Sequence, residues 1–271
     1  MDAASSHSRF ARRAVLGFAF LAPFLTLFLA ERHLLVALVP LVISHCLFLY
    51  ATLLPNCQWL GPVVRSFKTA EPEVWLTIDD GPSPAHTIAI LDLLDRFEAR
   101  ATFFVIGQQA EKYPHLITEI LARGQEIANH TYTHPIKSFW AAGPARIGNE
   151  IDRCAEHLRA RPDRPARLFR APVGLKNLFV HPELERRGLA LIGWSIRGLD
   201  TVRRDPLQVA DKVANRAAPG AIIVLHEGHR LETDPEFNLR CVEATLSRLA
   251  EKGYRCVIPP LEQLRSQRAG R

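Results

Sequence analysis

Two aspartates and two histidines carry the clearest chemical signal in the sequence. Asp79 and Asp80 stand together in "LTIDDGPS" at the end of an apolar run, and His130 and His134 lie four residues apart in "NHTYTHP". Histidines at this spacing can reach one metal ion from one helical turn or one tight loop, and two histidines with one carboxylate form a common catalytic zinc site. Asp80 can supply that carboxylate. The alternative is that Asp-Gly and Gly-Pro only mark a turn.

Further ionisable residues follow other apolar runs. Arg170 precedes "APVG", Asp200 ends "WSIRGLD", and His226 follows "AIIVL". A histidine in such a position is more often a packed core residue, but this one falls at the same end of its run as the metal candidates. Because function gathers at the carboxyl ends of parallel strands, the sequence predicts one shared site.

The elements that position these residues are visible as an alternation of two patterns. Short apolar runs occur at residues 74–78, 101–106, 126–128, 167–170, 190–196, 221–225 and 255–258. Segments of helical period lie between most of them, including 86–100, 147–158 and 238–252. This alternation predicts an α/β fold with a parallel sheet and helices outside it, either as an open sheet or as a barrel.

Two uncharged segments precede this region. Residues 14–30 and 34–54 are each of a length that spans a bilayer, and only "ERH" separates them. A cleaved signal peptide would show one shorter apolar core, so we predict a transmembrane helical hairpin. The alternatives are one signal anchor followed by a buried helix, or a helix pair lying in the membrane interface.

The basic residues indicate how this hairpin is oriented. The residues flanking the two spans are Arg9, Arg12, Arg13, Arg65 and Lys68. Since basic residues favour the cytoplasmic side, a multi-pass protein of the bacterial inner membrane is predicted, with both ends and the catalytic domain cytoplasmic. Arg32, in the connecting loop, lies on the opposite side in this arrangement.

The charge distribution bears on the class of partner. The net charge is +6, and the basic excess is concentrated in the first 70 residues, so the remainder is nearly balanced. This balance argues against nucleic-acid binding. The predicted organisation is a basic segment at 1–13, two spans within 14–54, a linker at 55–72, a catalytic domain at 73–264 and a basic tail at 265–271.

The motifs, taken together, resemble one protein family. "TIDDG", "HTYTH", "RAPVG", "WSIRGLD" and "LH" occur in the order found in the polysaccharide deacetylases, also called carbohydrate esterase family 4 or the NodB-homology domain. This resemblance implies a distorted (β/α) barrel of about seven parallel strands after the hairpin. It also implies a divalent metal, with Zn²⁺ expected, and hydrolysis of N-acetyl groups from an amino-sugar substrate.

The same resemblance implies roles for the residues around the metal. The metal ligands are Asp80, His130 and His134. Asp79 matches the general base, and Arg170 matches the arginine that pairs with this base. An arginine at that place keeps a carboxylate ionised.

The resemblance also implies the acid and the oxyanion site. His226 matches the general acid, and Asp200 matches the carboxylate that orients and tunes it. The backbone N–H of Val173 matches an oxyanion donor, although an aromatic residue is usual at this position. Arg197 and Thr201 replace a frequent Asp and a frequent Trp, which makes the wall of the site more basic and less aromatic.

The basic loop raises a further hypothesis about the substrate. Arg197, Arg203 and Arg204 could together meet a phosphate, because guanidinium groups bind phosphate oxygens well. The alternative, a solvated basic loop, is equally compatible with the sequence.

The sequence leaves three functions open. The first is a membrane-anchored deacetylase, or deformylase, of an amino sugar that is lipid-linked at the cytoplasmic face. The second is a periplasm-facing deacetylase of peptidoglycan or exopolysaccharide, which needs an odd number of spans. The third is a non-catalytic sugar-binding or scaffold protein on the same fold.

Overall fold

A computed structural model describes residues 3–31, 33–158, 166–203, 205–228 and 234–265. Two apolar helical segments begin it. Helix α1 covers Ala3–Ala30, and the short α2, Leu34–Ala37, leads into α3, Val39–Leu53. These segments pack against each other, and by length and composition each could cross a membrane. The spans predicted at 14–30 and 34–54 fall on these helices, and the membrane hairpin stays a prediction.

The rest of the described chain alternates strands and helices. The strands are β1 Ser66–Phe67, β2 Glu73–Gly81, β3 Ala101–Val105, β4 Glu126–Asn129, β5 Leu168–Phe169, β6 Ala190–Leu191, β7 Ile196–Arg197, β8 Ala221–His226, β9 Arg255–Cys256 and β10 Leu264–Arg265. The helices are α4 Thr87–Arg96, α5 Gly107–Lys112, α6 Pro114–Ala122, α7 Pro144–His157, α8 Val180–Arg186, α9 Pro206–Arg216 and α10 Phe237–Glu251. Single 3₁₀ turns occur at Phe139–Ala141, Pro172–Gly174 and Leu261–Gln263.

The strands form one curled sheet in the order β10-β1-β8-β2-β3-β4-β5-β6, with β7 paired to β8 and β9 paired to β2. All pairs from β2 onward are parallel, and β1 runs antiparallel to β8 and β10. This curled half-barrel of mostly parallel strands is consistent with the predicted distorted (β/α) barrel.

The apolar run predicted as one strand at 190–196 is divided into β6 and β7. The two strands are separated at Gly193 and Trp194, where the side chain of Asn56 lies against the backbone. Asn56 Nδ2 donates to the Trp194 carbonyl at 2.7 Å, and a Cβ on Gly193 would collide with Asn56 Oδ1. This interruption brings the Trp194 side chain to the rim of the site.

The core fills both faces of the sheet, which explains why its central strands are apolar without alternation. Leu76 and Ile78 of β2 pack outward against the surrounding helices. Trp75 points inward with Phe104 and Ile222. Polar side chains are therefore concentrated at the ends of the strands, and the site lies at their carboxyl edge.

The segment expected to be a linker, residues 55–72, is packed into this core. Leu60 and Val63 are buried, and the backbone of Val64 bonds to Leu191 and Gly193. β1 follows within the same segment. The end of α3 is thus joined to the barrel by a buried and hydrogen-bonded stretch of chain.

Candidate metal and catalytic centre

The carboxyl ends of the parallel strands converge on one cavity. Asp79 of β2 lies opposite His226 of β8 in the strand register, and His130 and Arg170 follow β4 and β5 directly. The cavity, of about 170 Å³, is lined by Asp79, Asp80, His130, His134, Ile136, Val173, Gly174, Trp194, Arg197, Thr201, Val224 and His226. The predicted site residues all line it except Arg170 and Asp200, which are fully buried.

Asp80, His130 and His134 form a compact set of potential metal donors. Asp80 Oδ1 lies 3.3 Å from His130 Nε2 and 3.2 Å from His134 Nε2. One ligand atom from each residue falls within 4.8 Å of the others. Two imidazole nitrogens and one carboxylate oxygen suit a divalent transition metal with coordination positions left open for water and substrate. The residues present therefore fit a divalent cation.

The orientation of His130 supports this donor set. His130 Nδ1 lies 2.8 Å from the carbonyl oxygen of Arg170, to which it can donate, so Nε2 keeps its lone pair facing Asp80. The ring is buried, which lowers the pKa of His130, but Asp79 and Asp80 more than offset this and raise it above the ordinary value. A positive charge is thus favoured at this point of the cavity.

Asp79 is held by a buried arginine. Arg170 Nη1 donates to Asp79 Oδ1 at 2.5 Å and to Thr77 Oγ1 at 2.8 Å. The other guanidinium nitrogens donate to the carbonyl oxygens of Ile192 and Gly193, so the arginine is fixed on all sides. Asp79 Oδ2 remains on the side of the metal donors, 3.9 Å from His130 Nε2. The carboxylate is thus bonded to Arg170 through one oxygen and keeps the other toward the metal donors.

His226 is held by a buried carboxylate. Asp200 Oδ1 lies 3.0 Å from His226 Nδ1, and Asp200 Oδ2 accepts the backbone N–H of His226 at 2.7 Å. Burial lowers the pKa of His226, but the charge and hydrogen bond of Asp200, together with the more distant Asp80 and Asp79, raise it to about 9. The imidazole is therefore protonated at neutral pH.

The backbone around the cavity is strained. Left-handed φ angles occur at Asp80 (74°), Thr131 (70°), His134 (50°), Val173 (54°) and Leu199 (68°). Glu98 is the one other non-glycine residue with such an angle in the described chain. Each such conformation costs of order 1 kcal/mol or more, and its concentration here is typical of a functional site. The sequence gives no signal for this strain.

Glu150 is a supporting residue that the sequence analysis missed. It lies on α7, and its carboxylate accepts the backbone N–H groups of Tyr132 and Thr133 at 3.0 and 2.8 Å and the Thr133 hydroxyl at 2.6 Å. These bonds hold the loop between the two histidines. The one sequence signal available was an acidic residue on the otherwise apolar face of a helix.

Glu227 is a second residue that was missed. It is fully buried next to His226, and its carboxylate accepts the Thr87 hydroxyl at 2.7 Å. A Cβ on Gly81 would collide with Glu227 Oε1, so the carboxyl group packs directly under the turn that carries Asp80. Burial raises the pKa of Glu227 to about 8, although the Thr87 and Ser83 bonds lower it. The group is therefore mostly uncharged at neutral pH.

One wall of the cavity is attached to the end of α3. Val173 and Gly174 line the wall, and a Cβ on Gly174 would collide with Pro55 and Trp194. The fully buried Lys176 donates through Nζ to the carbonyl oxygens of Leu54 and Pro55 at 3.0 and 2.8 Å. The ammonium group thus ties the last residues after α3 to the loop that follows Arg170.

The basic loop is only partly described. Arg197 lines the cavity, and Arg203 donates to Gln208 on the outer surface at 3.1 Å. Arg204, predicted together with these two as a phosphate contact, lies outside the described residues.

The curled half-barrel of mostly parallel strands gathers carboxylates and histidines at its carboxyl edge. A sequence model described as polysaccharide deacetylase matches residues 67–192. The chain belongs to the polysaccharide deacetylase family, and by that membership it is a carbohydrate deacetylase. The resemblance seen in the five motifs is confirmed.

Individual relatives support this membership. A chitooligosaccharide deacetylase of Sinorhizobium fredii is 39% identical, and the match covers 71% of this chain and 90% of the relative. A peptidoglycan-N-acetylglucosamine deacetylase of Bacillus cereus is 31% identical, and the match covers 73% of this chain and 91% of the relative. A family 4 carbohydrate esterase from Streptomyces lividans, solved in complex with acetate, superposes with a TM-score of 0.62 at 28% identity, over 72% and 96% of the two chains.

Proposed function

We propose that this chain hydrolyses the N-acetyl or N-formyl group of an amino sugar, with Asp79 as general base and His226 as general acid. The observation that carries the proposal is the pairing of each residue with its own buried partner. Arg170 holds Asp79, and Asp200 holds His226. Asp79 and His226 lie at neighbouring strand ends, in the cavity that also contains the potential metal donors. A carboxylate paired with an arginine and a histidine paired with a carboxylate suit the base and acid roles.

Hydrolysis of an amide needs an attacking water, stabilisation of the oxyanion and a proton for the departing amine. A divalent cation held by Asp80, His130 and His134, for which Zn²⁺ is our proposal, would polarise the carbonyl and acidify the water. Asp79 takes the proton of the water through Oδ2, because Oδ1 is occupied by Arg170. The bond from Arg170 fixes the carboxylate with its second oxygen toward the metal donors, where that proton would be accepted.

His226 completes the reaction by donating to the sugar nitrogen. Because Asp200 holds Nδ1, we assign this donation to Nε2 of the ring, which lines the cavity. The raised pKa, about 9, keeps this proton available at neutral pH. A protonated imidazole is a suitable acid for an amine that leaves poorly without a proton.

Val173 is our proposed oxyanion donor. It lines the cavity, and its φ of 54° turns the backbone away from an extended path. In the described chain, the backbone hydrogen bonds of this turn run from the Gly174 N–H to the Ala171 carbonyl and from the Leu175 N–H to the Pro172 carbonyl. The N–H of Val173 is not used in them, which leaves it for a ligand.

The direct test is acetate or formate release from N-acylated glucosamine oligomers by the full chain in detergent. Release that disappears with a chelator and returns with Zn²⁺ supports the proposal. The Asp79→Asn protein, purified in the same way, controls for contaminating deacetylases. No release by the metal-loaded protein from any N-acylated sugar would instead favour the non-catalytic, sugar-binding alternative.

We further propose that α1 and α3 form a hairpin in the bacterial inner membrane. Apolar side chains such as Phe20, Phe24 and Leu27 are largely exposed. Near the start of α1, Arg12 donates to the Leu178 carbonyl at 3.2 Å, and the residues after α3 are bonded to Lys176. Both ends of the hairpin thus contact one loop of the barrel, which supports an even number of spans with the barrel on the side of the termini.

A cytoplasmic barrel favours a lipid-linked amino sugar over a polymer. The basic residues flanking the helices support the cytoplasmic side, and the bonds to Lys176 keep the wall of the cavity close to the end of α3. Acetate release from a polyprenyl-phosphate-linked amino sugar, compared with chitooligosaccharide and peptidoglycan, tests this substrate. Activity on the polymers alone would favour the periplasm-facing alternative.

A further inference from the structure

Arg197 forms part of the cavity wall on the side of His226. It lies opposite Val224 in the register of β7 and β8. Val224 is two residues before His226 in β8, so the two side chains are on the same face of that strand. Ile196, its neighbour in β7, packs on the outer face of the sheet, in the core between the sheet and the helices. Because side chains alternate along a strand, the Arg197 side chain is on the inner face. Both Arg197 and His226 line the cavity.

The guanidinium of Arg197 is available to a ligand. Unlike Arg170, whose nitrogens are bonded to Asp79, Thr77 and two carbonyl groups, Arg197 makes no hydrogen bond or ion pair with any part of the chain that the structure describes. Its side chain is half-buried. A partly desolvated guanidinium with open donors favours an anion.

The charges around Arg197 reinforce this preference. Burial and the positive charges of Arg203, Arg216 and Arg197 lower the pKa of Lys212 on α9. The three arginines therefore lie close enough to Lys212 to influence it, on the same side of the barrel.

Three acidic groups that follow Arg197 in the chain are engaged elsewhere. Asp200 holds His226, Asp205 caps α9 by accepting the Leu207 N–H at 2.9 Å, and Asp211 accepts from Arg248 at 3.1 Å. The positive potential at the wall is consequently not cancelled by a carboxylate bonded to Arg197.

We propose that Arg197 binds a phosphate ester of the substrate, carried on the anomeric carbon beside the N-acylated carbon. The proposal rests on the proposed function, because it assigns the substrate class of the same cavity. The amide must reach His226 and the metal donors, and the neighbouring phosphate then faces Arg197 in the same wall. A phosphate offers several oxygens to the fork of a guanidinium and gains from the other cations nearby.

The test compares three soluble substrates with the full chain in detergent. The neutral substrate is the methyl glycoside of N-acetylglucosamine, the phosphorylated one is N-acetylglucosamine 1-phosphate, and the carboxylated one is N-acetylmuramic acid. We expect kcat/KM for the phosphorylated sugar to exceed that for the neutral sugar by about tenfold or more, since a charged hydrogen-bond pair contributes a factor of this size. The preference should weaken at high salt.

Arg197→Gln should reduce this preference to near unity, with the loss mainly in KM for the phosphorylated sugar. Arg197→Lys, which keeps the charge without the fork, should retain part of it. Arg96→Gln removes an equal charge from the outer surface, where Arg96 pairs with Glu243, and should retain the whole preference. A polyprenyl-phosphate-linked N-acetylglucosamine in the same micelles distinguishes a lipid-linked source of the phosphate from a soluble one.

Four results separate the possibilities. Equal kcat/KM for neutral and phosphorylated sugars overturns the inference, and so does a preference that survives Arg197→Gln. An equal preference for the carboxylated sugar overturns the assignment to phosphate. Acetate from none of the substrates overturns the proposed function itself.

Discussion

His226 Nδ1 lies 3.0 Å from Asp200 Oδ1, and Asp200 is fully buried three residues after the end of β7. The second oxygen of Asp200 accepts the backbone N–H of His226. One carboxylate thus fixes both the position of the strand end and the direction of the ring. Asp200 is also the main cause of the raised pKa of His226.

The first prediction concerns the alkaline limb of activity. The pKa of His226 is raised to about 9, so kcat should fall as the pH rises toward 9 and the imidazole loses its proton. A bound cation nearby would lower this pKa and move the fall in kcat to a lower pH. Asp200→Asn removes the main cause of the raised pKa and should move the limb down by about one unit or more. A kcat profile between pH 5 and pH 10 measures this. An unchanged limb in the Asn variant would contradict the acid role.

The same pair predicts how stability depends on pH. A histidine with a raised pKa contributes stability that is complete below its unfolded value, about 6.5, and is lost as the pH rises through about 9. Asp200→Asn should therefore lower the Tm more at pH 6 than at pH 9.5. Equal losses at both values would show that the charge of the pair is not the source of the effect.

The contact between Gly81 and Glu227 gives a second prediction. Gly81→Ala places a methyl group against the Glu227 carboxyl and should displace the turn that carries Asp80, lowering both bound Zn²⁺ and turnover. Gly143→Ala, where nothing lies within 4 Å of the new methyl group, is the matched control. Metal analysis and acetate release are the measurements.

The uncharged state of Glu227 gives a third prediction. Because its pKa is about 8, Glu227→Gln replaces a mostly protonated carboxyl by a neutral group of the same shape and should retain most activity at pH 7. Glu227→Ala leaves a cavity under the turn and should lower Zn²⁺ affinity, a 10- to 100-fold loss being usual for groups that orient a metal ligand. Loss of activity in the Gln variant as severe as in the Ala variant would contradict this account.

A fourth prediction concerns the attachment of α3. Lys176→Met removes the buried ammonium group that bonds the carbonyl groups of Leu54 and Pro55, which should destabilise the protein by about 1 to 3 kcal/mol. Lys252→Met removes a lysine that also makes two bonds, to Ala214 and Asn215, but is exposed, so its effect should be much smaller. Thermal unfolding in detergent compares the two. Equal shifts in Tm would contradict a structural role for the buried lysine.

A fifth prediction concerns the side of the membrane. A reporter fused after Lys68 should be active if it works in the cytoplasm and inactive if it needs the periplasm, because both ends of the hairpin contact one loop of the barrel. The reverse pattern would exclude the lipid-linked substrate at the cytoplasmic face and favour a polymer outside.

The sequence allowed the strand ends to be predicted because each carries an ionisable residue after an apolar run. Asp80 is some fifty residues from His130 and His134 in the chain, yet parallel strands bring their carboxyl ends to one edge. The family motifs then supplied the partners, Arg170 and Asp200, whose burial has no local signature. What sequence reasoning could predict was therefore the chemistry at the edge of the sheet.

Other features depend on tertiary packing and could not be read locally. Glu150 and Glu227 are ordinary acidic residues in sequence, and only burial against the histidine loop and Gly81 gives them a role. The run at 190–196 looks like one strand because nothing in it indicates the side chain of Asn56. Likewise, Pro55 to Pro72 has the composition of a linker, although Leu60 and Val63 are core residues.

The central claim is a division of labour between two adjacent aspartates, and one measurement tests it most directly. Zn²⁺ content and acetate release are determined together for Asp79→Asn and Asp80→Asn. We predict that Asp79→Asn keeps its metal and loses turnover by about 10²- to 10⁴-fold, as expected for a general base, whereas Asp80→Asn loses the metal with the activity. Retained turnover in Asp79→Asn, or full metal in Asp80→Asn, would contradict the account.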